Sequence, residues 1–195
     1  GAHVFCSEVA DGNMDYRFSD KESVNHARNV FLASCGIQAA QSVALVVEHT
    51  DGIHVVTTED LGSGMVRPED AIRADALVTH QAGVALFLLT ADCMPCVLFD
   101  PVRRVLALVH LGWRGVDIQL ITKVLALMHE QYSSQVSDIH VSVGPHISPD
   151  SYIVQNPEQR VRPQWQGFIH ETTNGFSVDI YSALRAQLLQ SGVET

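Results

Sequence analysis

An α/β or α+β domain is the fold class that the sequence predicts, and three observations predict it. Apolar residues make up 46% of the 195-residue chain and charged residues 17%, enough to build a core and too apolar for a disordered chain. Short runs rich in Val, Ile and Leu recur through the middle of the chain and read as buried strands. Longer segments with apolar residues at helical spacing flank and interrupt these runs, as covering helices do. No internal repeat or Pro/Ser-rich linker divides the chain, so a single domain over residues 1–195 is expected.

Residues 23–35 predict a helix, with Val24, Val30 and Phe31 among its apolar positions and Gly36 as its stop. Residues 43–47 form a valine-rich run read as a buried strand. Residues 53–57 form a second, set off by the turn-like Thr50-Asp51-Gly52. Residues 76–79 and 84–89 read as two more strands with Gly83 between them. Residues 97–99 and 105–109 follow, joined by the turn signal Asp100-Pro101. Residues 116–131 predict a helix in which Leu120, Ile121, Val124, Leu125 and Met128 form one stripe. Residues 139–143 predict a strand ended by Gly144-Pro145, residues 177–179 a short strand, and residues 181–190 a closing helix before Gly192. Residues 148–175 carry no clear period.

The net charge is −10 at pH 7, with a pI near 5.3. Such a chain lacks the positive field that binding to a nucleic-acid backbone or an anionic membrane surface requires. The longest apolar stretch, residues 82–91, is about half the ~20 residues of a spanning helix, and Asp92 ends it. Gly1-Ala2-His3-Val4 shows no basic region leading into an apolar one, so no export signal is expected. Four cysteines are too few for a disulfide framework and are expected to be thiols in a reducing cytoplasm.

Three metal-ligating residue types follow predicted strands. His49 lies just past residues 43–47, and Cys93 lies four residues past Leu89, in Thr90-Ala91-Asp92-Cys93. His110 directly follows Val109, ahead of the corner Leu111-Gly112-Trp113-Arg114-Gly115. In a parallel sheet these ends would share one edge, where the ligand sites of open α/β sheets gather. Two imidazoles and a thiolate make a zinc site with an open fourth position, which lowers the pKa of bound water to about 7. The spacing alone also allows three unrelated polar residues at strand ends. Cys93 and Cys96 form the redox-type pattern Cys-Met-Pro-Cys, but Cys96 runs into a strand and reads as a small buried apolar residue. The same residues suit a thiol hydrolase, with Cys93 as nucleophile and His110 or His49 as base.

Thr90-Ala91-Asp92-Cys93-Met94-Pro95 and Val109-His110-Leu111-Gly112-Trp113-Arg114-Gly115 resemble the motifs of the laccase-domain proteins, once called multicopper polyphenol oxidoreductases. That family includes the bacterial peptidoglycan editing factor and purine nucleoside phosphorylases of an unusual type. Gly12-Asn13-Met14, Arg28, Ala74-Asp75-Ala76-Leu77-Val78-Thr79, Asp100-Pro101 and Gly144-Pro145 match as well, so the resemblance runs over residues 12–152. It implies a sandwich of mixed β-sheets flanked by helices. It implies a catalytic zinc held by His49, Cys93 and His110. It also implies phosphorolysis of adenosine, inosine or methylthioadenosine, with adenosine deamination alongside. The implied partners are a small nucleoside and phosphate, with no nucleic acid or membrane.

Four departures stand out. Val47-Glu48-His49-Thr50 occupies the place of the usual Gln-x-His-Gly. Cys96 replaces an aliphatic residue, and Ala27 replaces the usual Asn before Arg28. Gly192-Val193-Glu194-Thr195 does not match the aromatic- and Arg-rich motif in which members generally end.

Arg114, behind Trp113 at a helix start, is a candidate for bidentate phosphate binding, with an ion pair to Asp117 as the structural alternative. Asp92 is a candidate to orient a ligand, or a turn residue. Arg28 and Arg17 are candidate phosphate contacts or solvated residues, and Trp113 a purine-stacking or core-packing indole. His80 and His146 read as exposed or satisfied histidines beside the site. Glu48 is the one carboxylate offered as the general acid/base that deamination needs. The chain has no His-x-His pair, which weighs against a copper oxidase. A hydrolase editing a cytoplasmic peptidoglycan precursor and a non-catalytic zinc-binding relative complete the alternatives.

Overall fold

In the computed structural model, which describes residues 1–194, the apolar runs pair into two sheets stacked face to face. Strands β1 (Ser42–Val46), β3 (Ile72–Arg73) and β5 (Ala85–Phe87) form a small parallel sheet in the order β3-β1-β5. Strands β2 (Ile53–Val55), β4 (Ala76–Thr79), β6 (Met94–Asp100), β7 (Val105–Leu111) and β8 (His140–Val143) form a larger sheet in the order β2-β4-β7-β6-β8. In it β2 runs parallel to β4, and every other pair is antiparallel.

Strand alternation assigns the two faces of the large sheet. Met94, Cys96 and Leu98 of β6 and Val105, Ala107, Val109 and Leu111 of β7 point one way and are fully buried. They pack under helices α2 (Trp113–Asp117), α3 (Leu120–Tyr132) and α4 (Ile180–Gln190). Burying each large aliphatic side chain here contributes about 1.5–3 kcal/mol. On the opposite face Leu77 meets Val43 and Leu45 of the small sheet. The outer side of that sheet, through Ala44 and Phe87, is covered by Ala27 and Leu32 of helix α1 (Lys21–Ser34). The layers are therefore helices, large sheet, small sheet, helix, which is the expected sandwich of mixed sheets flanked by helices. Beyond Leu77 the sheets part, and Val97, Phe99, Leu106 and Leu108 face an open cleft of about 1240 Å³.

Three local expectations are corrected. The predicted helix over residues 116–131 is two helices, because Gln119 sits in the left-handed region at φ 56° and breaks the ladder. The break lets α2 lie on the end of β7 while α3 runs back along the sheet. The predicted parallel edge does not exist: β1 and β7 belong to different sheets, and Cys93 precedes β6 rather than ending a strand. The unread stretch contains β9 (Ile153–Val154) and β10 (Ile169–Thr172), which pair with β11 (Gly175–Val178) in a third sheet. Those strands are short and half-exposed, so no apolar alternation marks them.

Leu77 is fully buried where the two sheets meet. Leu77→Ala is expected to destabilise the protein by about 2–5 kcal/mol, read as a lower urea midpoint at unchanged slope.

Candidate metal centre

Antiparallel pairing, not a parallel edge, brings the first two ligands together. Pro95 pairs with His110 and Met94 with Leu111, which leaves Cys93 beside the end of β7. His110 shares a face with Leu106 and Leu108, so its ring points away from the helices and toward the small sheet. His49 arrives from the turn that carries the chain from β1 in one sheet to β2 in the other. The ligand atoms of His49, Cys93 and His110 all lie within 4.8 Å of one another. The two imidazoles meet edge to face, with centroids 5.0 Å apart. Gly112 makes room for them, since a Cβ there would lie 2.9 Å from Cys93 Sγ.

Asp75, which directly precedes β4, organises this group. Its carboxylate is 1% exposed, and Oδ1 accepts from His110 Nδ1 at 2.9 Å. The backbone N–H of His49 donates to the same oxygen at 3.0 Å. Oδ2 accepts from the N–H groups of Thr50 at 2.8 Å and Glu48 at 3.3 Å, and from Thr50 Oγ1 at 3.2 Å. Three consecutive N–H groups thus converge on one anion, a concave arrangement that a left-handed residue produces. That residue is His49, at φ 59°. Thr50, where the family usually has Gly, supplies a further donor through its hydroxyl.

Burial pushes the His110 imidazole below its ordinary value; the Asp75 hydrogen bond opposes this and nearby His49 adds to it. A neutral imidazole is the form that binds metal. Burial also pushes the Cys93 thiol up, and the charges of Asp92 and Asp75 push the same way. No cation activates the thiol, so the arrangement suits a thiolate formed on metal binding better than a free nucleophile. Cys96 is buried in the sheet core and pushed up to about 12 by burial, so the Cys-Met-Pro-Cys segment is not a redox pair. The donor set, two imidazoles and one thiol around a space that a single Cβ would fill, fits a Zn²⁺-sized ion with an open position.

The other sequence candidates separate. Arg114 lies over the Trp113 ring and has no hydrogen-bond or ion-pair partner among the described residues. Asp117, its anticipated partner, is instead held by Arg162, by Gln164 at 3.0 Å and by the Trp165 indole at 2.8 Å. Arg114 and Trp113 line a pocket of about 260 Å³ with Tyr152, Asn156 and Gln159. The Tyr152 phenol is pushed up by burial and by the charge of Cys93, while Gln159 and then Arg114 act against this.

Arg28 is a buried residue of α1, donating to the carbonyls of Met14 and Gly64 at 2.8 Å each and stacking on Tyr16 and Phe87. These contacts pin the amino-terminal segment to α1. Asp92 is an exposed left-handed turn residue whose carbonyl accepts from Ile147, and the orienting contact expected of it is made by Asp75. Arg17 pairs with Asp15 on the surface, and Glu48 is tied to Arg73 at 2.6 Å. His146 bonds the Gly144 carbonyl, and His80 tilts against Tyr132.

Residue-level reasoning missed Asp75, Gly112 and Tyr152. A carboxylate abutting the wholly apolar residues 76–79 was the signal available for Asp75.

A family described as multi-copper polyphenol oxidoreductase laccase matches residues 4–195. The chain belongs to this family. A relative from Corynebacterium glutamicum named purine nucleoside phosphorylase is 31% identical over 182 residues, covering 92% of this chain and 72% of the relative. One of the same name from Clostridium acetobutylicum is 36% identical over 78 residues, covering 40% of this chain and 33% of its own length. The chain thus spans between a third and three quarters of these curated relatives. The crystal structure of YlmD from Geobacillus stearothermophilus superposes with a TM-score of 0.80 at 29% identity, covering 90% of this chain and 68% of that one. The Bacillus licheniformis protein YfiH shares the fold, with a TM-score of 0.81 at 24% identity over 89% of this chain and 67% of that one.

Two outcomes test the centre. Gly112→Ala is expected to abolish stoichiometric zinc uptake, measured by metal analysis after gel filtration, while far-UV circular dichroism stays native. Metal affinity is expected to rise with pH, because binding must release the proton of a thiol whose pKa is raised, whereas His110 is already neutral. One displaced proton gives about tenfold per pH unit below the thiol pKa, read by chelator competition between about pH 7 and 8.5.

Proposed function

We propose that this chain is a zinc-dependent purine nucleoside phosphorylase. The observation that carries the reading is the corner that follows β7. Gly112 lies against the Cys93 sulfur of the His49–Cys93–His110 group, and the next two residues, Trp113 and Arg114, line a pocket in which the guanidinium has no hydrogen-bond or ion-pair partner among the described residues. The names of the relatives support the same reaction class.

Phosphorolysis joins a phosphate oxygen to ribose C1′ as the C1′–N9 bond breaks. The bonding pair leaves with the purine, which takes up a proton, and ribose 1-phosphate is the second product. Arg114 holds the phosphate dianion through paired N–H groups of its planar guanidinium, and Trp113 beneath it keeps that plane oriented. Tyr152, which lines the same pocket, offers a phenol hydroxyl for the ribose. Asp117, by holding Arg162, Gln164 and Trp165, ties helix α2 to the segment that follows the pocket residues 156–159. When bound at His49, Cys93 and His110, the metal supplies a Lewis acid for negative charge developing on the substrate.

Zinc is favoured over copper because the described residues form one three-ligand group, whereas electron relay among several coppers needs several. Deamination is the weaker reading, since Glu48 is engaged by Arg73. Thiol hydrolysis of a peptidoglycan precursor would need an activated Cys93, and its thiol is pushed up instead. Among the described residues no helix is long and apolar enough to cross a membrane, and all four cysteines are free. The proposed location is the cytoplasm, where free thiols, nucleosides and phosphate coexist.

The test incubates zinc-loaded protein with adenosine, with and without phosphate, and resolves products by chromatography. Phosphate-dependent adenine and ribose 1-phosphate are expected from the wild type and none from Cys93→Ala. Arg114→Ala is expected to raise KM for phosphate by about 10–100-fold, the loss of a charge-assisted contact of roughly 1.5–3 kcal/mol. Inosine alone would reassign the enzyme as a deaminase. No product from the metal-loaded wild type would sink the reading.

A further inference from the structure

We infer that Asp75 is the positioning residue of the metal centre, setting the ring tautomer of His110 and the backbone turn of His49 with a single carboxylate. The inference rests on the metal reading but not on the nucleoside one.

The geometry assigns separate tasks to the two oxygens. Oδ1 receives the His110 Nδ1 proton, which leaves the Nε2 lone pair facing Cys93 and His49. Oδ2 receives the N–H groups of Glu48 and Thr50 and the Thr50 hydroxyl, closing the turn that carries His49. His49 itself donates to Oδ1 from its backbone, so both ligands are tied to the same atom. The main chain repeats the link, since the His110 N–H donates to the Asp75 carbonyl at 2.8 Å. Among the described residues no Lys or Arg hydrogen-bonds this carboxylate. Every donor on it belongs to His110 or to residues 48–50, so its contacts serve the ligands and nothing else. The left-handed backbone at His49, which costs any residue that carries a Cβ, is held by those contacts whether or not metal is present.

Asp75→Asn is the decisive variant because it keeps the shape and changes the proton pattern. A carboxamide has one acceptor oxygen. With two N–H groups and a hydroxyl converging on the Oδ2 side, the oxygen stays there and the NH₂ turns to His110. His110 must then accept at Nδ1 and carry its proton on Nε2, where the metal lone pair was needed.

Co²⁺ serves as the probe, because its visible absorption reports a four-coordinate site and its charge-transfer band reports the Cys93 thiolate. Asp75→Asn is expected to bind Co²⁺ about 10–100-fold more weakly than wild type at unchanged fold. ¹⁵N shifts of the metal-free wild type are expected to show His110 protonated at Nδ1, and those of the variant at Nε2. Equal Co²⁺ affinity and an equal spectrum in both proteins would overturn the assignment. So would an Nε2–H tautomer in the metal-free wild type, a measurement that decides the matter even where the variant does not fold. A wild type that takes up no Co²⁺ would overturn the metal reading and this assignment with it, an outcome distinct from equal binding by both proteins.

Discussion

A carboxylate removed from water must have its oxygens saturated with donors, or its burial costs several kcal/mol. Asp75 meets that requirement without an ammonium or guanidinium, using one imidazole, one hydroxyl and three backbone N–H groups. The donors come from two directions. The imidazole belongs to β7 of the large sheet, and the N–H groups belong to the turn leaving β1 of the small one. The constraint therefore closes one end of the sandwich. It draws His49 against His110 and leaves Cys93, at the start of β6, to complete the group.

The rest of the site follows from what surrounds that end. β7 runs straight from His110 into α2, so the corner must be narrow. Gly112 leaves space for the Cys93 sulfur, and a Cβ on Gly115 would press on the His110 carbonyl at 3.3 Å. The same corner sets Trp113 and Arg114 at the mouth of the pocket. Asp117, one turn on, takes Arg162, and Arg114 has no ion-pair partner among the described residues. A net charge of −10 makes a guanidinium with no carboxylate partner among the described residues a local exception to the field of the whole molecule.

Much of the architecture was legible. The runs at residues 43–47, 76–79, 105–109 and 139–143 coincide with strands to within two residues, because buried strands require continuous or alternating apolar side chains. The helices at either end were legible from their stripes, and α1 starts two residues before its predicted start because the Asp20 carboxylate accepts from the Ser23 N–H. Residues 148–175 were not legible, since their strands pair on a half-exposed surface that imposes no period. His49, Cys93 and His110 were picked from strand ends on a parallel arrangement that does not exist. The three residues come together for another reason: chain ends converge at one end of the sandwich, just outside the strands.

The sequence alone determined the layer composition, the three ligand types and the corner Leu111-Gly112-Trp113-Arg114-Gly115, since each is a matter of local period or residue chemistry. Tertiary structure alone decided the partners. It gave Asp117 to Arg162 rather than Arg114, turned Arg28 into a buried pin, and passed the orienting role from Asp92 to Asp75. Those outcomes depend on antiparallel register and on which sheet each strand joins. Such pairings link residues 14 to 48 positions apart, a separation at which neither periodicity nor motif carries information.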